Sequence, residues 1–193
     1  YRNKSENRLS PSVPDEDISR TVDASVLILH TYGIGNIDTW KDVLDVGSVT
    51  EMEFITPTFE VLMEYNVVIV GSNYYWDDPI ETGNVLAEYV DAGGSVILLG
   101  ATFHSGGNWA LGGLIQEEEY NPLTSNSYSC CYNWNTLEDI TDHSINANVD
   151  ELGTRLYSYS NVKDIGVSLG NFSDGTPFGA YNSDKNIIAL NIF

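Results

Sequence analysis

The sequence predicts an α/β domain in three layers, with a mostly parallel sheet and antiparallel strands in its C-terminal third. Three observations predict it. Short, continuously apolar runs at 25–30 (SVLILH), 66–72 (NVVIVGS) and 95–100 (SVILLG) suit strands buried on both faces. Segments with helical spacing of apolar residues lie between them, which is the pattern of βαβ units. From residue 154 the pattern changes to short strands divided by turn sequences.

Residues 1–23 are polar, with Pro11, Pro14 and the acidic cluster Asp15-Glu16-Asp17, and read as an arm or linker. Residues 24–193 then form a single domain. After the first strand, TYGIGN (31–36) is a loop. Ile37, Trp40, Val43 and Leu44 give 37–46 a helical stripe. SVTEMEFIT (48–56) alternates as a strand, and PTFEVLMEY (57–65) is a short helix opened by Pro57. The clearest helix is 78–94. Asp78 suits its cap and Pro79 its first turn. Ile80, Val85, Leu86, Tyr89 and Val90 make an apolar stripe, and Gly93 or Gly94 ends it. Residues 114–144 read as a long excursion with short helices. Strands are expected at 154–160, 164–172, 177–182 and 186–193, with turns at SDGT and NSDKN. The last of these, NIIALNIF, could pair with another copy if it lay at a sheet edge. Its apolar residues Ile187, Ile188, Leu190 and Ile192 favour an interior place.

Composition restricts function. At 193 residues the chain suits one domain with its own core, and 42% hydrophobic against 19% charged residues marks it as folded. It carries 28 acidic and 8 basic residues, a net charge of −20. Nucleic acid and anionic membrane surfaces are therefore unsuitable partners. The acidity fits solubility in a salty or extracellular medium, or cation binding, with Ca²⁺ the one cofactor to consider. Yet no EF-hand loop is present, and Asp174 and Asp184 fall in separate turns. No apolar run approaches the ~20 residues that span a bilayer, so no membrane insertion is expected. No signal peptide is visible, which suits a mature or excised chain. The adjacent Cys130-Cys131 lacks the C-x-x-C spacing of metal and redox sites and reads as a structural pair. Sequons stand at Asn3 and Asn171.

The stretch YNVVIVGSNYYWDDPIETGNVLAEYVDAGGSVILLG (65–100) resembles the class I glutamine amidotransferase-like, flavodoxin-like superfamily. Within it the likeness is to domains of secreted multidomain bacterial and archaeal proteins. Tyr65-Asn66-Val67-Val68-Ile69 and Tyr89-Val90-Asp91-Ala92-Gly93-Gly94 carry it, and EEEYNPL (117–123), DHSI (142–145) and 174–193 look like that group's tail. The resemblance covers roughly residues 25–193 and implies a flavodoxin-like winding. Enzymatic members hold a cysteine in a Gly-x-Cys-x-Gly elbow and a late His-x-Glu pair. Here the elbow reads Gly100-Ala101-Thr102-Phe103-His104, so Thr102 stands at the nucleophile position and His104 replaces the second glycine. The three histidines are His30, His104 and His143, and no His-x-Glu occurs. A threonine without a neighbouring base is a poor nucleophile. The resemblance thus implies the architecture without amidotransferase chemistry. Trehalose-utilisation-type relatives also carry a histidine after the equivalent strand. That leaves a metal- or sugar-dependent hydrolase using His104 as the alternative.

Ligands of open α/β sheets gather at the C-terminal ends of the strands. Two groups of residues there are candidates. His30 and His104 could hold a metal ion with Asp77 or Asp78. SNYYWDDP (72–79) offers Tyr74, Tyr75 and Trp76 beside Asp77, which suits a sugar or a protein contact; the simpler account is that rings cover the sheet edge and Asp78 caps the helix. TYGIGN lacks G-x-G-x-x-G and any nearby cation except Lys41, so it reads as an ordinary turn. Tyr132 and Trp134, in a Tyr/Asn/Ser-rich segment, suit an adhesive surface or a locally packed loop. The expected role is a non-catalytic extracellular or cell-surface domain. Its expected partner is another surface protein, a glycan or copies of itself.

Overall fold

The computed structural model of the chain describes residues 22–32, 37–103, 109–125, 134–147, 149, 151–155 and 157–192. The arm over 1–21, Gly33 and Gly35 of TYGIGN, His104, and Cys130, Cys131 and Tyr132 fall outside them. In chain order the elements are β1 (Val22–His30), α1 (Ile37–Val43), β2 (Val46–Glu53), α2 (Phe59–Leu62), β3 (Val67–Gly71), α3 (Pro79–Asp91) and β4 (Ser95–Leu99). Then come β5 (Leu123–Ser125), β6 (Asn135–Ile140), β7 (Gly153–Thr154), β8 (Ser160–Val162), β9 (Val167–Phe172), β10 (Pro177–Asn182) and β11 (Ile187–Leu190).

Nine strands form one sheet in the order β2-β1-β3-β4-β11-β10-β9-β6-β7, and β5 pairs with β8 apart from it. The sheet is mixed. β2, β1, β3, β4 and β11 run parallel to one another, the parallel core that the apolar runs predicted. β10, β9, β6 and β7 extend it antiparallel. β11 is interior, as its apolar residues suggested, with Ile187 opposite Val96 of β4 and Ile188 opposite Tyr181 of β10. Among the described residues the edge strands are β2 and β7.

α3 forms as its sequence dictates. The Asp78 side chain accepts the Glu81 N–H at 3.0 Å, and Pro79 sits in the first turn. At the other end Gly93 takes φ +98°, and the amides of Gly93 and Gly94 donate to Val90 and Tyr89 carbonyls, closing a Schellman turn. Val85, Leu86, Tyr89 and Val90 are buried against Val68, Val70, Val96 and Leu98 of the sheet. Each such side chain contributes about 1.5–3 kcal/mol of burial free energy. Ile80, on the first turn, departs from the expected stripe: it is 60% exposed.

Two other helices are smaller than their patterns suggest. α2 spans one turn, capped by Thr58 rather than opened by Pro57. α1 has no fully buried residue; Ile37 and Trp40 of its apolar stripe are partly buried. The expected strand over 154–160 resolves into two short pieces, β7 and β8, and the excursion holds strands β5 and β6 besides single 3₁₀ turns.

A second core, Tyr157, Leu169, Phe172 and Phe178, lies under the antiparallel strands. One polar stitch joins the halves. Asp91 at the end of α3 accepts from Tyr120 Oη at 2.8 Å and from Lys185 Nζ at 2.6 Å, and Lys185 lies 4.8 Å from the Tyr120 ring centre. No helix among the described residues is long and apolar enough to cross a membrane.

Candidate functional site

Parallel strands deliver all their C-terminal ends to one edge of the sheet. Here β2, β1, β3 and β4 are adjacent, so four chain segments meet there: 51–56, 30–32, 71–78 and, past the turn after β4, 109–111. Each brings aromatic or apolar residues to the surface. Tyr32, Phe54 and Ile55 are exposed, and Tyr74 and Tyr75 are 50% and 52% exposed.

The rings form a row. Phe54 and Tyr74 have centres 6.1 Å apart at 85°, Tyr74 and Tyr75 5.1 Å at 66°, and Tyr75 and Trp109 6.2 Å at 83°. Edge-to-face contact at these separations is the favoured geometry of aromatic pairs.

The backbone beneath the row is held by buried hydroxyls. Thr31, fully buried at the end of β1, accepts the Tyr74 N–H at 3.1 Å and donates to the Tyr74 carbonyl at 3.0 Å. The Ser72 hydroxyl reaches the Trp109 carbonyl at 2.6 Å, and the same carbonyl accepts Trp76 Nε1–H at 2.9 Å. Phe54 sits in the left-handed region at φ 54°, with its N–H on the His30 carbonyl at 3.0 Å. For a bulky residue that conformation costs on the order of 1–2 kcal/mol, and such outliers cluster at functional sites.

His30 lies just inside this edge and is buried. Its Nε2 is 2.8 Å from Glu51 Oε1, while Nδ1 has no hydrogen-bond partner among the described residues. The parallel register explains the pairing. Glu51 stands opposite Ile28, two residues before His30 and on the same face.

The other predicted residues separate. Trp76, grouped with Tyr74 and Tyr75 in sequence, is only 3% exposed and belongs to the main core. Asp77 is exposed, and Asp78 is occupied as the α3 cap rather than meeting His30. Trp134 is 63% exposed but precedes β6, across β11, β10 and β9 from β4, so it does not join the row. His143 caps a 3₁₀ turn by accepting the Ile145 N–H and stacks on Tyr181. His104 and Tyr132 lie outside the described residues. Among the described residues no three or more His, Cys, Asp or Glu side chains group as metal ligands do.

Thr102, at the elbow, is fully buried in a 3₁₀ turn. Its hydroxyl donates to the Leu99 carbonyl at 2.7 Å, and its own carbonyl accepts from Gln116 Nε2 at 2.7 Å and from the Leu111 N–H. The hydroxyl proton is thus committed to the backbone of the preceding strand.

Sequence reasoning missed Tyr32, Phe54, Ile55 and Trp109. One signal was present: Tyr32, Phe54 and Ile55 stand one or two residues past a parallel strand's end, where ligands of such sheets bind.

No protein-family model matches the chain, and no curated protein matches it. Solved structures share its fold. A ThuA-like protein of Bacteroides uniformis aligns with TM-score 0.65 at 13% identity, over 92% of this chain and 85% of its own. A cytoplasmic protein of Salmonella typhimurium aligns with TM-score 0.61 at 12% identity, over 87% of each chain. A glutamine amidotransferase of Thermotoga maritima aligns with TM-score 0.57 at 11% identity, over 89% of this chain and 76% of its own. The amidotransferase-like, flavodoxin-like architecture read from residues 65–100 is therefore the architecture of this chain. At such identities the likeness concerns fold alone.

Proposed function

We propose that this chain is a non-catalytic domain that works by binding at the cell surface or outside the cell, and that the aromatic row is its working surface. The observation that carries this reading is the row itself. Three exposed rings, Phe54, Tyr74 and Tyr75, continued by the half-buried Trp109 on a backbone locked by buried hydroxyls, make a pre-formed contact surface, and one a monomer has no other need to expose. The committed Thr102 hydroxyl and the lack of a His-x-Glu pair support the absence of amidotransferase chemistry. The same reading takes the domain as three-layered, since right-handed crossovers put α1 on the face opposite α2 and α3. It requires no cofactor; calcium would act by screening the −20 charge.

The test has two arms. The wild type and Thr102→Ala are assayed for glutamine hydrolysis, and neither is expected to show any. The wild type and Tyr74→Ala/Tyr75→Ala are then compared on immobilised glycan and peptide arrays, where the variant is expected to lose the wild-type signals. Hydrolysis abolished by Thr102→Ala overturns the non-catalytic reading. Array signals unchanged in the double variant remove the row as the working surface. Recovery of the native protein in the cytosol overturns the location.

A second reading, the metal- or sugar-dependent hydrolase using His104, draws on one observation. His30 engages a carboxylate through one ring nitrogen and keeps the other buried and unpartnered among the described residues, as metal-bound histidines do. Elemental analysis separates the two: stoichiometric zinc, manganese or iron favours the hydrolase.

A further inference from the structure

Building on the row as a binding surface, we propose that it docks an extended basic segment of another protein, with arginine or lysine side chains at alternate positions. Ring geometry points to cations. Successive rings stand at 85°, 66° and 83°, so the row is a series of corners in which the edge of one ring meets the face of its neighbour. A cation is drawn to the face of a ring within about 6 Å of its centre. A flat sugar chain needs coplanar faces, which these angles deny.

Charge points the same way. The segments that carry the row, 30–32, 51–56, 71–78 and 109–111, contain Glu51, Glu53, Asp77 and Asp78 and no lysine or arginine. The whole chain stands at −20, so its field concentrates basic partners. A second copy suits the surface poorly. Of the four described lysines and arginines, Lys41, Lys163 and Lys185 are ion-paired with Asp38, Glu118 and Asp91, which leaves the exposed Arg155, and two such acidic bodies repel.

Spacing sets the partner's conformation. Ring centres follow one another at 5.1–6.2 Å. Alternate residues of an extended chain lie roughly 6.6 Å apart, so every second side chain meets a new corner.

The test is calorimetric titration of the full chain with an acetylated, amidated hexapeptide of alternating arginine and serine, its citrulline counterpart and cellohexaose. The arginine peptide is expected to bind, and the two neutral probes are not. Tyr74→Ala/Tyr75→Ala is expected to weaken the peptide about tenfold or more, while Tyr74→Phe/Tyr75→Phe, which keeps both ring faces, stays within about threefold. Both side chains are half-exposed, so circular dichroism of the variants should match the wild type. Three outcomes overturn the proposal: no binding of the arginine peptide, binding undiminished by the double alanine change, or binding of the citrulline peptide equal to that of arginine. Cellohexaose binding that the alanine pair abolishes leaves the row a binding surface and removes only its assignment to a basic partner. If the protein alone self-associates and the alanine pair disperses it, the occupant is a second copy, through its basic Arg2, Lys4 and Arg8, and a foreign partner is overturned.

Discussion

Thr31 holds both backbone polar groups of Tyr74. One buried hydroxyl accepts the Tyr74 N–H at 3.1 Å and donates to the Tyr74 carbonyl at 3.0 Å. The first residue past β1 thereby fixes the loop past β3. Thr31→Val should leave those backbone groups without their partner and cost about 1–3 kcal/mol, measured by urea unfolding. Thr31→Ser should recover most of it. Equal stability of the valine and wild-type proteins would show that the clamp contributes nothing.

Gly83 of α3 is a second sensitive position. A Cβ built there would lie 1.9 Å from the Gly112 carbonyl oxygen, a backbone atom that cannot swing aside. Gly83→Ala should therefore push the helix away from the segment after Trp109 and destabilise by about 1–3 kcal/mol, against the usual gain from alanine in a helix. A rise in the melting temperature of Gly83→Ala would refute this.

The helix at 78–91 shows what a single sequence reveals. Its cap, its proline and its terminal glycines act within the helix itself, so all were readable locally. β10 was likewise found at 177–182 from its turn residues. The aromatic row was not readable, because Phe54, Tyr74 and Trp109 meet only through the order of strands, which no local pattern encodes. Tyr74, Tyr75 and Trp76 looked alike in sequence, and only the course of the loop turned the tryptophan inward. α1 failed in the opposite way: its spacing was right for a core helix, and it leaves Ile37 and Trp40 only partly buried.

Acid should loosen the stitch between α3 and the β10–β11 turn. Hydrogen bonds from Lys185 and Tyr120 hold the Asp91 carboxyl below its ordinary range. A depressed folded-state value means that the carboxylate's contribution is fully present above the unfolded value, near 4, and is lost as pH falls through the folded one. Asp91→Asn should therefore flatten the acid limb of the stability curve below about pH 4 and change little of its slope near pH 7. Urea unfolding from pH 7 to pH 2 checks this; identical slopes for the two proteins below pH 4 would count against it.

Thr102→Ala removes the hydroxyl from the Leu99 carbonyl, which then lacks that donor inside a fully buried turn. The expected loss is about 1 kcal/mol of stability with binding of the wild-type array ligands unchanged. Loss of binding with stability intact would mean that the elbow acts on the ligand.

The place of β11 has a consequence for a chain emerging from the ribosome. β4 is complete by Leu99, yet the partner for its free edge begins at Ile187. Until those residues are made, the parallel half presents an open, apolar strand edge at β4. Non-local pairings of this kind are slow to close, and unpaired edges in nascent chains recruit one another. Truncation before Ile187 should thus yield an aggregating product rather than a smaller folded one.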